Sequence, residues 1–344
     1  MNSEEHTERL VHALRDPRCY AHPVNNIGLI ETHISYVLLT GTYAYKLKKP
    51  VDLGFLDFST IEARRHACEE EVRLNRRTAP AIYLAVVPIT GTAAAPVMAG
   101  EGAAIDYAVK MREFASDALL GDRLLQGNLA PASIDDLASG LAAFHAAAAR
   151  ATRDDPFGVP DTIRMRLGEV FEFAECEESP FRRRIALRGW VEREGARLAN
   201  FMALRKAEGL VRECHGDLHL ANIAMIDGKP VPFDCLEFNA DLRWGDVMGE
   251  VAFTFMDFLA HGRPEFAWRF LNGYLEQTGD YEGVVLLRLY AVYRAMVRCK
   301  VATLRAQQSP SGLTERARAI ATAERYGGIA WQLTASTMPT LILM

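Results

Sequence analysis

The sequence predicts an α+β protein built from two lobes, a small strand-rich lobe followed by a larger, mostly helical one. The chain has 344 residues, which is more than one hydrophobic core usually serves. Short apolar runs rich in Tyr, Val and Ile dominate before about residue 115, and helical periodicity dominates after it. We therefore expect a first lobe at 1–114, a second at 115–330 and a tail at 331–344.

The composition is that of an ordinary globular protein, with 49% hydrophobic and 24% charged residues. No run reaches the ~18 apolar residues of a membrane span, and the first residues lack the apolar centre of a secretory signal. We expect a cytoplasmic protein with no membrane partner. The net charge of −5 gives no general attraction to nucleic acid. The six cysteines include no Cys-X-X-Cys pair, so buried reduced thiols are expected.

The first lobe is predicted to contain an antiparallel sheet and one helix. The strand-like runs are "NIGLIETH", "SYVLL", "TYAYKLKK", "LAVVPI" and "IDYAVKMREF". An Ala/Gly-rich stretch at 91–104 is predicted to be a loop between two of them. The helix follows "STIEARRHACEEEVRLNRR", where Ser59 is a candidate N-cap and Glu62 stands three residues later, as in a capping box.

The second lobe shows helical patterns almost throughout. The segment "SIDDLASGLAAFHAAAARA" places Ile134, Leu137, Leu141 and Phe144 on one stripe, and we expect His145 to face the core. Similar patterns start near 161, 180, 246, 264, 281 and 312.

One strand-like region interrupts these helices, at "ECHGDLHLANIAMIDGKPVPFDC", residues 213–235. Asp227-Gly228 is typical of a two-residue hairpin turn. Pro230 and Pro232 alternate, so the second strand can pair on one side only and the hairpin is expected to be an isolated ribbon.

The hairpin register brings two polar residues into the same region. Counting back from the turn pairs Asn222 with Phe233 and leaves Asp234 beside Asn222, at roughly 7 Å for diagonal neighbours. Strict alternation would send the two polar side chains to opposite faces. Their convergence therefore requires the pairing to break after Phe233.

His215, Asp217, Asn222 and Asp234 have the spacing of a kinase catalytic loop and its metal-binding aspartate. Asp217 would accept the proton of a hydroxyl group during phosphoryl transfer, with His215 beside it as a catalytic-loop residue or a structural anchor. Mg²⁺ prefers carboxylate and amide oxygens, which Asp234 and Asn222 would supply.

"HGDLHLANI…PFDCLEF" resembles the aminoglycoside phosphotransferase and choline kinase-like family, small-molecule relatives of protein kinases. "LRWGDVMGEVAF" continues the match, and Asp246 resembles the aspartate that tethers the catalytic loop in that family. The resemblance spans about residues 28–310. It implies a bilobal protein kinase-like fold, ATP and Mg²⁺ as cofactors, and transfer of the γ-phosphate to a hydroxyl of a small molecule.

A kinase fold also requires a strand lysine and a helix glutamate that holds it. In "TYAYKLKKP", alternation places Ala44, Lys46 and Lys48 on one face. Lys46 is the favoured phosphate-binding lysine and Lys48 the alternative. On the following helix Glu71 is favoured over Glu70, because it lies beside the buried stripe.

Further nucleotide contacts are expected from two short segments. Thr32, His33 and Ser35 belong to "ETHIS", between the first two strands, where side chains or backbone N–H groups would contact phosphate without a glycine-rich loop. Met111, in "YAVKMREF", would lie near the adenine.

The acceptor and the alternatives follow from the same motifs. The expected partner is a small-molecule hydroxyl acceptor. Glu237, Asp241 and Glu250 are candidates to bind an amine, which would make that acceptor cationic, and the alternative is that they are surface residues. One alternative is a non-catalytic nucleotide-binding pseudokinase. A metallophosphoesterase is less favoured, because it needs further His/Asp clusters on other loops.

The tail "STMPTLILM" is apolar and strand-like. In bacterial proteins whose first lobe resembles "THISYVLLTGTYAYKLKKPVDLGFLDFSTIEARR", a P-loop ATPase domain often follows. The sequence has no GxxxxGK[ST] motif. The resemblance thus implies a fused or associated P-loop ATPase domain outside this chain, and the alternative is an ordinary terminal strand.

Overall fold

The computed structural model describes residues 3–54, 56–173, 183–308 and 313–335, which hold eleven α-helices and ten β-strands. The chain divides into two compact units. The first unit is Met1–Asp122 with Asn222–Arg243, and the second is Arg123–Ala221 with Trp244–Met344. The segment 222–243 thus packs within the first unit, although the sequence prediction placed it in the helical lobe.

The first unit contains a six-stranded antiparallel sheet in the order β1-β2-β3-β6-β4-β5. The strands are β1 (Gly28–Glu31), β2 (Ser35–Leu39), β3 (Tyr43–Lys48), β4 (Tyr83–Thr92), β5 (Ala95–Met98) and β6 (Ala104–Arg112). The predicted loop at 91–104 was wrong in part, since it contains β5. Alanine and proline have low strand propensity, so pairing with β4 decides this strand.

Two helices of the first unit precede and follow β1–β3, namely α1 (Ser3–Ala13) and α2 (Ile61–Asn75). The N-cap of α2 is Thr60, whose hydroxyl accepts the N–H of Ala63 at 3.1 Å. The predicted cap, Ser59, was one residue early. Its own N–H donates to Asp57 Oδ1 at 2.8 Å.

The predicted hairpin is confirmed as β8 (Ile223–Ile226) and β9 (Lys229–Pro232), a two-stranded sheet. Asp227 has φ 50° and Gly228 has φ 81°. Both central residues are therefore left-handed, as a type I′ turn requires. A short helix, α7 (Ala240–Arg243), ends this part of the first unit.

The six-stranded sheet packs a core on each face. Tyr45 and Leu47 of β3 belong to one core. Ala44, which precedes Tyr45 and lies on the opposite face, belongs to the core that includes Cys68 and Val72 of α2. Alternation along β3 directs Lys46 and Lys48 to the same side as Ala44.

The second unit is mainly helical. Its elements are α4 (Pro131–Ala147), α5 (Pro160–Glu169), α6 (Arg184–Ala207), β7 (Val211–Glu213), β10 (Trp244–Asp246), α8 (Val247–Ala260), α9 (Pro264–Thr278), α10 (Val284–Gln308) and α11 (Leu313–Ala335). The boundary between the units falls inside α3 (Leu120–Leu125). None of the described helices has the length and apolar character to span a membrane.

Five of the six cysteines are buried thiols, as expected: Cys19, Cys68, Cys214, Cys235 and Cys299. Cys176 and the terminal segment 336–344 lie outside the described residues. The prediction for the tail therefore stays a prediction.

Candidate active site

Lys46 joins two carboxylates that lie far apart in the sequence. Its Nζ donates to Glu71 Oε1 at 2.9 Å and to Asp234 Oδ1 at 2.5 Å. Glu71 is completely buried, and the Lys46 side chain is 11% exposed. Burial alone would lower the pKa of Lys46, but Asp234 and Glu71 raise it well above its ordinary value. The ammonium group of Lys46 is therefore charged at neutral pH. Lys46, Glu71 and Asp234 all belong to the first unit.

Lys48 is a second, fully buried lysine in the same cluster. It donates to Glu71 Oε2 at 2.5 Å and to the carboxylate of Glu237. Burial lowers the pKa of Lys48, but Glu237 and Glu71 together raise it. Burial also raises the pKa of Glu237, and Lys48 only partly opposes this effect. We call Lys46, Lys48, Glu71, Glu237 and Asp234 the clamp cluster.

Glu70, the alternative to Glu71, faces elsewhere. Its carboxylate accepts two hydrogen bonds from Arg73, each at 2.8 Å, and lies 3.6 Å from Arg243. The structure thus brings Glu71 and not Glu70 to the strand lysines.

The backbone at Asp234 explains how this side chain reaches the cluster. The hairpin ladder ends at Pro232, and Asp234 has a left-handed φ of 62°, which breaks the alternation. Its N–H donates to Tyr83 Oη at 3.1 Å, and the next N–H, of Cys235, donates to Asn75 Oδ1 at 2.8 Å. An aspartate tolerates this conformation better than most residues. Residues on β4 and α2 therefore hold the turn.

The donor set in the first unit fits a divalent cation. Asn222 is buried, its carbonyl accepts the N–H of Phe233 at 2.9 Å, and its amide oxygen is a ligand type that Mg²⁺ binds. Asp234 offers a carboxylate on a side chain that is 42% exposed. The clamp cluster has two ammonium groups and three carboxylates, so with all five groups ionised it carries a formal charge of −1.

An apolar cluster in the first unit contains Met111, the residue predicted to lie near the adenine. Ala44 and Met111 lie opposite each other on β3 and β6 and belong to one buried core. Half-buried apolar side chains pack against this core from the sheet, the hairpin and the segments that follow them. They include Val37, Leu39, Phe114, Ile226, Val231 and Phe233.

The turn between β1 and β2 is closed by Thr32. Its N–H and its hydroxyl donate to the carbonyl of Ser35 at 2.9 and 3.1 Å, and the N–H of Ser35 donates back to the Thr32 hydroxyl at 3.0 Å. Thr32 and His33 are exposed. The Ser35 side chain is completely buried, and its hydroxyl has no hydrogen-bond partner among the described residues. Of the three residues predicted to contact phosphate, only Thr32 and His33 therefore have side chains at the surface of the turn.

In the second unit, Glu250 of α8 holds the start of the catalytic-loop motif. It accepts the N–H of His215 at 3.1 Å and the N–H of Gly216 at 2.7 Å, and lies 2.9 Å from His145 Nε2. Burial raises the pKa of Glu250, but His145 and His215 outweigh this effect and lower it to about 2. His145 faces the core, as predicted, and its Nδ1 lies 2.8 Å from Tyr274 Oη.

Two further residues of α8 continue this stripe. Thr254 donates its hydroxyl to the carbonyl of Leu218 at 2.9 Å, and Asp257 accepts the N–H of Leu220 at 2.8 Å. With Glu250 these residues are spaced by four and three, so they share one face of the helix. The loop 215–220 is therefore fixed through its backbone, which leaves side-chain positions for chemistry.

The predicted tether, Asp246, has another role. It caps α8 by accepting the N–H of Met248 at 2.9 Å and pairs with Arg205 at 2.7 and 2.8 Å. Arg205 also pairs with Asp280. The prediction that Asp246 tethers the loop was wrong, because Glu250, one helical turn later, makes those contacts.

Asp217 lies among cationic and potentially cationic groups. Its side chain is 36% exposed, and its Oδ2 is 3.4 Å from His219 Nε2, which in turn is 3.0 Å from Arg298 Nη1. Burial raises the pKa of Asp217, but His219, Arg298 and His215 together lower it well below its ordinary value. The carboxylate is therefore ionised at neutral pH. The N–H of Asp217 donates to the Nδ1 of the buried His215 at 3.4 Å.

Two of the three residues expected to bind an amine are used inside the protein. Glu237 is buried against Lys48 and Glu250 is buried against the loop backbone. Asp241 is exposed at the start of α7 and stays a candidate.

The metallophosphoesterase alternative gains no support. Among the described residues, the one group of three close His, Cys, Asp or Glu side chains is His145, Cys214 and Glu250, all buried. Glu250 and His145 already bond to each other there.

Comparisons with known proteins place this geometry in context. No family model matches the sequence. Uncharacterized proteins of Mycobacterium tuberculosis and Mycobacterium bovis are 32% identical over 320 residues, which is 90% of this chain. The chain spans 62% of the length of these relatives.

Solved kinases match almost the whole chain in structure. A choline kinase from Streptococcus pneumoniae has a TM-score of 0.55 at 14% identity, and the match covers 96% of this chain and 100% of that one. The aminoglycoside phosphotransferase APH(4)-Ia gives 0.51 at 12%, covering 96% and 99%. An amicoumacin kinase solved with AMP-PNP and Ca²⁺ gives 0.51 at 10%, covering 90% and 88%.

This chain has the kinase-like fold of aminoglycoside phosphotransferases and choline kinases. The α+β, kinase-like fold predicted from the sequence is confirmed, and the resemblance to these kinases is confirmed at the level of the fold.

Proposed function

We propose that this chain is an ATP- and Mg²⁺-dependent phosphotransferase that transfers the γ-phosphate to a hydroxyl group of a small molecule. The observation that supports this most is the position of Lys46, 2.9 Å from Glu71 and 2.5 Å from Asp234. In enzymes with a kinase fold, phosphoryl transfer depends on a lysine held by a helix glutamate and on a nearby metal-binding aspartate. The kinases of the same fold include one solved with AMP-PNP.

The first unit would bind the nucleotide. The adenine would pack on the apolar surface around Ala44 and Met111, and Lys46, oriented by Glu71, would bind the phosphates. Asn222 and Asp234 would hold Mg²⁺, which when bound neutralises charge on the phosphate oxygens. Thr32 and His33, in the turn before β2, would also contact the phosphates.

The second unit would supply the base. The ionised carboxylate of Asp217 can accept a hydrogen bond from the acceptor hydroxyl and orient its oxygen toward the γ-phosphorus. Because the pKa of Asp217 is lowered, the carboxylate is a weak base and takes the proton only as the new O–P bond makes the hydroxyl acidic. His215, the buried first residue of the loop 215–220, would position Asp217 by accepting its backbone N–H.

A direct assay tests this function. The purified protein is incubated with ATP, Mg²⁺ and a panel of sugars, amino alcohols and nucleosides, and ADP release is measured with mass detection of the phosphorylated product. We expect Asp217→Asn to lower turnover on the order of 10²-fold or more. The matched control is Asp135→Asn, an exposed carboxylate paired with Arg269 on the second unit.

Two results would contradict the proposal in different ways. Full turnover by Asp217→Asn would remove Asp217 as the base. Nucleotide binding without transfer to any acceptor would favour a non-catalytic nucleotide-binding module.

The acceptor class and an associated domain belong to the same proposal. The exposed Asp241 supports a cationic acceptor, which comparison of amino alcohols with their neutral analogues in the panel would test. The sequence resemblance implies a P-loop ATPase domain fused to or associated with this chain. The coding sequence on either side of this chain tests that prediction.

A further inference from the structure

The clamp cluster forms a continuous chain of ion pairs in the order Asp234, Lys46, Glu71, Lys48, Glu237. Its two ends belong to the same short segment, 234–237. Its centre belongs to β3 and α2. Ion pairs therefore tie both ends of the segment that carries the proposed metal-binding aspartate to the sheet and helix, in addition to the backbone hydrogen bonds of Asp234 to Tyr83 and of Cys235 to Asn75.

The two attachment points differ in their access to solvent. The outer pair joins Lys46, 11% exposed, to Asp234, 42% exposed. The inner pair joins Lys48, which is not exposed, to Glu237, whose side chain is 4% exposed. A ligand can therefore reach the outer pair, whereas the inner pair is closed to ligands.

Glu71 connects the two pairs. One of its carboxylate oxygens accepts from Lys46 and the other from Lys48. If Lys46 turns toward a phosphate and Asp234 toward a cation, their mutual contact is lost. Lys48 then still holds both Glu71 and Glu237, so the helix glutamate and the end of the segment keep their positions.

We propose that Lys48 and Glu237 are a positioning pair, which keeps Glu71 and the segment 234–237 in place while Lys46 and Asp234 exchange their mutual contact for nucleotide and Mg²⁺. This inference rests on the proposed function of the chain. Neither residue touches the ligands, and both act through the residues to which they are bonded.

Charge explains why the inner pair needs both members. Without Lys48, Glu71 would still pair with Lys46, but the buried carboxylate of Glu237 would lose its ion-pair partner, and repulsion between the two carboxylates would displace one of them. Without the charge of Glu237, Lys48 still pairs with Glu71, but the segment loses its buried ionic anchor. Glu237→Gln therefore tests the positioning of Asp234. Lys48→Met tests the positioning of both Glu71 and the segment 234–237.

The experiment measures binding of a fluorescent ATP analogue by the full chain, once with Mg²⁺ and once with EDTA, together with the melting temperature. For Glu237→Gln we expect binding in Mg²⁺ to weaken about 10-fold or more, the usual effect of removing a residue that orients a metal ligand. Binding in EDTA should change far less, because Lys46 and Glu71 remain paired. Lys48→Met should weaken binding under both conditions.

The controls are Glu69→Gln and Arg65→Met, an exposed pair on the same helix as Glu71. Both should bind like the wild type. Equal weakening of Glu237→Gln binding in Mg²⁺ and EDTA, or a lower melting temperature with unchanged Mg²⁺ dependence, would overturn the positioning role. Wild-type protein that binds no nucleotide in either condition would contradict the proposed function itself, so the two failures are distinguishable.

Discussion

The charges around Asp217 favour the ionised carboxylate that its proposed role as a base requires. The groups around it, His219, Arg298 and His215, favour the ionised carboxylate more strongly than burial opposes it. A base that is already deprotonated needs no change of pH to act, and its low basicity delays proton transfer until the bond to phosphorus forms.

The first prediction concerns the ionisation of this residue. A carboxyl-¹³C NMR titration, with the resonance of Asp217 assigned by its loss in Asp217→Asn, should show a midpoint for this group well below 3.8, the ordinary pKa of an aspartate. The neighbouring His219, Arg298 and His215 lower the pKa and so move the protonation to more acidic pH. A midpoint at or above pH 3.8 would contradict the prediction.

Residue types and spacing were enough to predict Lys46, Glu71 and Asp234, and the structure brings these three together. They were not enough for Glu237 and Glu250. Both acids follow loop motifs and were expected to face an acceptor, yet each is buried with a partner more than 30 positions away. Such pairings depend on packing between elements, which local spacing does not report.

At the scale of the element, α8 combines an apolar body with one polar stripe. Glu250, Thr254 and Asp257 each satisfy backbone groups of the loop 215–220, and hydrogen bonds to carboxylates are stronger than neutral ones. The helix therefore acts as a rigid support for the catalytic-loop motif.

The second prediction follows from the pKa of Glu250. Folding lowers this pKa from 4.5 to about 2, so the ionised carboxylate stabilises the folded state on the order of 3 kcal/mol above pH 4.5. This stabilisation is lost as the pH falls from 4.5 toward 2. Urea unfolding of Glu250→Gln should therefore show a deficit at pH 7 that shrinks in acid. A deficit independent of pH between 7 and 3 would contradict the prediction.

The third prediction compares two glycines. Gly228 has φ 81°, and a Cβ there would meet no atom within 4 Å, so Gly228→Ala should destabilise by about 1 kcal/mol through backbone strain alone. Gly140, inside α4, is equally open but helical, so Gly140→Ala should stabilise by about 0.4–1 kcal/mol. Thermal unfolding measures both. Changes of the same sign would contradict the assigned turn.

Elements with strong local signals were predicted well. The Asp227-Gly228 turn fixed the hairpin and its register, because few residues tolerate two left-handed positions in succession. The N-cap of α2 was missed by one residue, since Ser59 and Thr60 are both good caps and only Thr60 points at the helix N–H groups. β5 was missed because pairing, not propensity, makes it a strand.

At the scale of the whole molecule, the clamp cluster lies in one compact unit and Asp217 in the other. Nucleotide binding and base catalysis should therefore respond to different substitutions. The length of 344 residues and the change of pattern near residue 115 predicted two lobes. They did not predict that 222–243 packs with the first compact unit, because that depends on contacts such as the one between Cys235 and Asn75.

The fourth prediction uses this separation. ADP with Mg²⁺ at 100 times its Kd should stabilise the native protein by about 2.7 kcal/mol and raise its melting temperature. Asp217→Asn should keep this increase, because its change lies outside the clamp cluster. Lys46→Met should lose it. Loss of the increase in Asp217→Asn, or its persistence in Lys46→Met, would contradict the assignment.

The discontinuity of the first unit also bears on how the protein is made. Asp234 follows Lys46 by 188 positions. A ribosome that adds roughly 5–20 residues per second therefore needs about 10–40 s after Lys46 to reach the last part of the clamp cluster. During that interval the nascent chain contains Lys46, Lys48 and Glu71, but not yet Asp234 or Glu237. The clamp cluster can therefore form only after α4, α5 and α6 of the second unit have been synthesised, and it can form before α8 to α11 have been.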